Sequence, residues 1–163
     1  MYKNFYELKD NIIFYKDNEK TSVFFILLNK ENVVFPQNII LINLGEDLSI
    51  RIKCDLYKKY FQTNIINMIN NLVNEKTNFI DGNNIIFMHN IGILFEPELK
   101  LSAESLFKNF SKENLIIIFW DGFYQESEKK LYFINSESGI TMDLNNLKAK
   151  IINIKDKVGN ILM

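Results

Sequence analysis

Ile85-Ile86-Phe87-Met88-His89 is the stretch whose reading decides the fold. Four apolar residues follow the turn-forming Asp81-Gly82-Asn83-Asn84 and end on the only histidine of the chain. A short apolar run bounded by turn residues reads as a strand buried on both faces. An apolar strand that closes on a polar side chain is how open α/β sheets present chemistry at their carboxyl edge. Working outward, three further runs have the same character: 22–28 (Ser22-Val23-Phe24-Phe25-Ile26-Leu27-Leu28), 38–44 (Asn38-Ile39-Ile40-Leu41-Ile42-Asn43-Leu44) and 115–120 (Leu115-Ile116-Ile117-Ile118-Phe119-Trp120). A shorter fifth is 131–134.

Helical spacing fills the intervals. Phe5, Leu8, Ile12 and Ile13 predict an amphipathic helix over 4–15. Asp47 is the expected cap of a helix reaching about residue 60, with Ile50, Cys54, Tyr57 and Phe61 on one face. Asn64 is the expected cap of the next, with Ile65, Ile66, Ile69, Leu72 and Val73 inward. Pro97 suits the first turn of a helix whose core face is Leu99, Leu106, Phe107 and Phe110. Residues 144–158 read as helical, with Leu147, Ile151, Ile154 and Val158 on one side. Strands alternating with helices predict an α/β fold, a mostly parallel sheet with helices on both faces. With no repeat or linker in sight, one domain over 1–163 is expected.

The totals narrow the function classes. Nineteen basic and twenty acidic residues give a net charge of −1, which argues against direct capture of nucleic acid by clustered positive charge. No apolar run approaches the roughly 18 residues of a membrane span. Cys54 is the only cysteine, so no intrachain disulfide forms, as befits a reducing cytoplasm. One His and one Cys without ligand spacing argue against a metal site.

Several stretches carry a resemblance. Asn90-Ile91-Gly92-Ile93-Leu94-Phe95-Glu96-Pro97-Glu98-Leu99-Lys100 matches a pattern "I-x-I-L-F-D/E-P-x-L-K". Leu106-Phe107-Lys108-Asn109-Phe110-Ser111 and Phe119-Trp120-Asp121-Gly122 follow it, and Leu41–Arg51 (LINLGEDLSIR) precedes it. Together, over roughly residues 20–135, they resemble BrxF, the small phosphate-loop proteins of type 3 BREX phage-defence systems. The resemblance implies a phosphate-loop NTPase-like sheet, with the third and fourth strands on opposite sides of the first or flanking it closely.

The chain departs from that family at two places. A phosphate loop needs glycines whose neighbouring backbone N–H groups wrap the phosphate, a Lys, and a Ser or Thr for magnesium. Here no glycine precedes Gly45, and only nine residues, 29–37, separate Leu28 from Asn38. That is too short for the loop and its helix, although Lys30 survives near the strand end. His89 stands where the family has Asp, and imidazole does not replace a carboxylate for Mg²⁺. The resulting expectation is a degenerate, non-catalytic relative with no cofactor and no catalytic or metal residue. It would act as an adaptor in a BREX-like complex, with other defence-system proteins or a second copy as partner.

The side chains to weigh are Asp47, Ser49, Arg51, His89, Asn90 and Asp121, which would line a sheet-edge pocket, and Tyr57, Tyr60, Leu94 and Phe95, which would contact a partner. Each has a structural reading as well. His89 and Asp121 end strands, Asp121 in an Asp-Gly turn. Arg51 suits a solvated helix surface, and Asp47 or Ser49 suits a helix start. Tyr57, Tyr60 and Phe61 near Lys58 and Lys59 would alternatively stack single strands. Two rival functions remain at this stage: a nucleotide sensor or unconventional enzyme using the sheet edge, and a phage-encoded decoy of a defence subunit.

Overall fold

The computed structural model describes residues 5–27, 36–52, 61–133 and 139–154. The predicted contacts Tyr57 and Tyr60, and the residues Lys30 and Cys54, lie outside these. Five parallel strands form the main sheet: β1 (Val23–Leu27), β2 (Leu41–Asn43), β4 (Asn83–His89), β5 (Leu115–Trp120) and β9 (Ala149–Asn153). Their order is β2-β4-β5-β1-β9. One level of the sheet reads Met88, Ile118, Phe25, Ile151 from β4 to β9. β3 (Asn78–Ile80) pairs antiparallel with the first half of β4. Asp81 and Gly82 make that turn at φ 49° and 76°. Positive φ at both central residues is the geometry of a two-residue hairpin, and it explains an Asp-Gly at this point.

β1 and β5 are buried along their whole length, hence their uninterrupted apolar runs. Alternate residues feed two separate cores. Phe24, Ile26, Phe87, Ile117 and Phe119 pack under α1 (Phe5–Glu19) through Phe5, Leu8 and Ile12. Phe25, Leu27, Ile86, Met88, Ile118 and Trp120 face α2 (Leu44–Ile52), α3 (Phe61–Lys76) and α4 (Ala103–Phe110). The sheet therefore has helices on both faces, the α/β class that the strand and helix spacing predicts. No helix among the described residues is long and apolar enough to cross a membrane.

A second, antiparallel sheet was not legible: β6 (Gly122–Gln125), β7 (Lys130–Phe133) and β8 (Thr141–Asp143). The fifth predicted strand, 131–134, falls on its middle strand as far as Phe133, and residue 134 lies outside the described residues. Leu131 and Met142 join the core on the α2–α4 side. Trp120 bolts the two sheets together. Its Nε1 donates to the Tyr132 carbonyl at 3.0 Å, and its ring stacks on Phe133 at 4.0 Å.

Five expectations are corrected. Of the predicted helix 144–158, the described part, 144–154, is not helical: Leu144 and Leu147 are buried in a turn, and 149–153 form β9 beside β1, while Val158 lies outside the described residues. The spacing of Leu147, Ile151 and Ile154 fits a turn followed by a strand as well as it fits a helix, and two adjacent β-branched residues favour the strand. Asp47 does not cap α2, which begins three residues earlier and buries Leu44, Leu48 and Ile52, leaving Ile50 exposed. Pro97 opens a short 3₁₀ turn (Pro97–Leu99) after another over Ile91–Phe95, and the helix proper starts at Ala103 with Ser102 as its cap. Asn64 lies inside α3 rather than at its start. As for strand order, the fourth predicted strand, β5, flanks β1 directly, while the third, β4, stands one place beyond β5 on the same side, so the two do not lie on opposite sides of β1.

Candidate functional site

The carboxyl edge of the parallel sheet carries polar side chains at successive strand ends. Asn43 closes β2, His89 and Asn90 close β4, and Asp121 follows β5. Asn43 and His89 are register partners, and β4 and β5 are neighbours, so His89 and Asp121 end adjacent strands. Both are half-buried and engaged.

The tightest arrangement here centres on Asn43. Its Oδ1 accepts from Asn90 Nδ2 at 2.8 Å and from the Glu46 backbone N–H at 3.4 Å. Its Nδ2 donates to Glu46 Oε2 at 2.7 Å. Asn43 thus serves as the N-cap of α2, and the acid three residues on answers it, a variant of the capping box. Asn90 adopts the left-handed conformation, φ 52° and ψ 47°, and its carbonyl accepts from the Gly45 N–H at 2.9 Å. A Cβ on Gly45 would stand 2.9 Å from Asn90 Cγ, closer than packed atoms approach. A side chain at Gly45 would have to displace the Asn90 carboxamide from Asn43 and would crowd the Asn90 carbonyl at 3.1 Å. Two stretches far apart in sequence, 41–46 and 89–90, meet as one joint.

The other predicted pocket residues do not join it. Asp47 takes Lys76 Nζ between its two oxygens, each at 2.7 Å. Arg51 Nη2 binds Glu75 Oε2 at 2.6 Å. These pairs form the seam between α2 and α3. The hydrogen bond from Arg51 holds the Glu75 carboxyl below the usual carboxylate range, and the same bond raises the Arg51 guanidinium further above its ordinary value. Ser49 is exposed, its Oγ donating to the Glu46 carbonyl at 2.8 Å. Asp47, Ser49 and Arg51 are thus helix-surface groups, while Asn90 belongs to the β2–β4 joint.

Asp121 owes its place to its neighbours. A Cβ on Gly122 would stand 2.8 Å from the Tyr132 carbonyl carbon and nearer still to its oxygen and to Trp120 Nε1. Trp-Asp-Gly is thus a packing motif: the indole reaches a carbonyl across a residue that has no side chain. Of the predicted contacts, Leu94 is only 2% exposed, an internal residue rather than a docking surface. Phe95 is half-buried, its ring edge-on to Trp120 and Phe133.

Sequence reasoning missed Asn43, Gly45, Glu46, Glu75 and Lys76. An Asn three residues before a Glu, at the end of an apolar run, was the available signal for the first and third. Among the described residues, no group of three or more His, Cys, Asp or Glu side chains is placed to hold a metal ion. The described edge offers amide and carboxylate hydrogen bonding, much of it spent on joining elements of the fold. Comparison with protein-family models, with curated proteins and with solved structures gives no match to this chain.

Proposed function

We propose that the chain is a non-catalytic interaction subunit of a BREX-like phage-defence complex in the cytoplasm. It would be a phosphate-loop-like α/β domain that has shed nucleotide chemistry and requires no cofactor. Its partners would be other defence-system proteins or a second copy of itself, met through protein surfaces rather than nucleic acid or membrane. One observation carries the reading. β1 is the strand on which such a fold would mount its phosphate loop, yet residues 28–40, between β1 and β2, contain no glycine. Their last five residues, 36–40, are turn and coil rather than helix.

Two further features support it. The stretches that resemble BrxF, 41–51 and 85–122, lie side by side, β2 on β4 and β4 on β5. Their most characteristic residues serve the fold itself: Asn43, Gly45 and Asn90 in one joint, Trp120 and Gly122 in another. Fold and function are separable, so a scaffold of this kind is retained for its surfaces when its chemistry is gone.

The test is calorimetry with ATP and Mg²⁺ together with a phosphate-release assay, then co-purification from the native operon with sedimentation of the isolated chain. The expected result is no binding at micromolar ATP, no turnover, and recovery of a partner or a dimer. Micromolar affinity, or turnover lost on changing His89 or Asp121 to Ala, would overturn the proposal in favour of a sheet-edge enzyme. A strict monomer with no partner recovered would also count against it.

A further inference from the structure

We draw no further inference here: the strongest candidate, the outer face of the β6–β7–β8 sheet where half-exposed Phe123 stacks on Tyr132 at 4.9 Å, is an unpartnered surface, and nothing in the structure shows what covers it.

Discussion

Replacing Gly122 by Ala tests the joint between the two sheets. A methyl group there has no free volume, since it would meet the Tyr132 carbonyl and the Trp120 indole nitrogen inside contact distance. The chain must move β7 away or rotate the indole, and either breaks the 3.0 Å bond from Nε1 to the Tyr132 carbonyl. Leaving that buried donor unsatisfied costs about 1–3 kcal/mol. Forcing an extra carbon into a packed region costs about 1–3 kcal/mol, and the Trp120–Phe133 stack is worth about 0.5–1.5 kcal/mol more. The expected destabilisation is therefore roughly 2.5–7.5 kcal/mol, a large share of the ~5–15 kcal/mol by which domains are stable.

The chain supplies its own reporter. Trp120 is the only tryptophan and is fully buried, so its emission follows this joint during urea unfolding. With a slope of about 2 kcal/mol per molar urea, the midpoint should fall by roughly 1–4 M. Two other glycines provide the scale. A Cβ at Gly92 meets nothing within 4 Å, so Gly92→Ala should be neutral or stabilising by up to about 1 kcal/mol. A Cβ at Gly82 also meets nothing, but φ of 76° should cost Gly82→Ala about 1–2 kcal/mol. The reasoning fails if Gly122→Ala unfolds within about 1 kcal/mol of the parent, or if Gly82→Ala proves the more damaging of the two.

Other consequences are more local. Asn78 is buried, and its carboxamide both accepts from the Ile40 N–H and donates to the Ile40 carbonyl at 2.8 Å, standing in for a strand residue between β3 and β2. Asn78→Ala should cost about 2–4 kcal/mol in denaturation and speed hydrogen exchange at the Ile40 amide; unchanged exchange would refute the role. Leu94→Ala should cost about 2–5 kcal/mol as a core truncation, and a neutral result would return Leu94 to the surface. The half-exposed pair of Asp47 and Lys76 should be worth under about 1 kcal/mol by double-mutant cycle and weaken in 1 M salt. For Glu75, a folded-state pKa lowered by Arg51 means stability present above the unfolded value and lost as pH falls through the folded one. The stability gap between parent and Glu75→Gln should therefore be widest near neutrality and close in acid; a gap constant with pH would refute it.

How much was legible divides along physical lines. The strand 115–120 was readable to the residue, and the buried face of α3 nearly so, Ile66 being only partly buried, because their burial pattern follows from local periodicity. The 144–158 segment was not readable, since whether Ile151 and Ile152 join a helix or a strand depends on whether β1 offers a free edge, which is a tertiary fact. β6 and β8 escaped notice because short antiparallel strands in a small sheet are held by Trp120, Leu131 and Met142 packing beneath them rather than by their own pattern. Of the candidate site, the individual residues were visible, but their partners were not. Asp47 looked like a cap only because Lys76, twenty-nine positions on, could not be seen beside it.

That distinction bears on what the short polar sequence words at the strand ends can mean. Asn-Leu-Gly-Glu, His-Asn and Trp-Asp-Gly stand where an α/β sheet ordinarily exposes its chemistry, at the carboxyl ends of strands. Here Asn43, Glu46 and Asn90 spend hydrogen bonds on one another, Gly45 admits the end of β4, and Gly122 admits the Trp120 indole. Groups committed to internal bonds are poor ligands, because a substrate would have to break those bonds before forming its own, at about 0.5–1.5 kcal/mol each. The same words would persist in a domain with no substrate at all, since losing any of them loosens the joint between β2, β4 and α2 or that between the two sheets. A Gly45→Ala variant separates the two roles. Its Cβ would push the Asn90 carboxamide off Asn43 and should lower stability through the loss of that bond; on the interaction reading, partner recovery should fall only in step with that loss of folded protein. A variant that stayed fully folded yet lost its partner would instead place the docking surface at the β2–β4 joint itself.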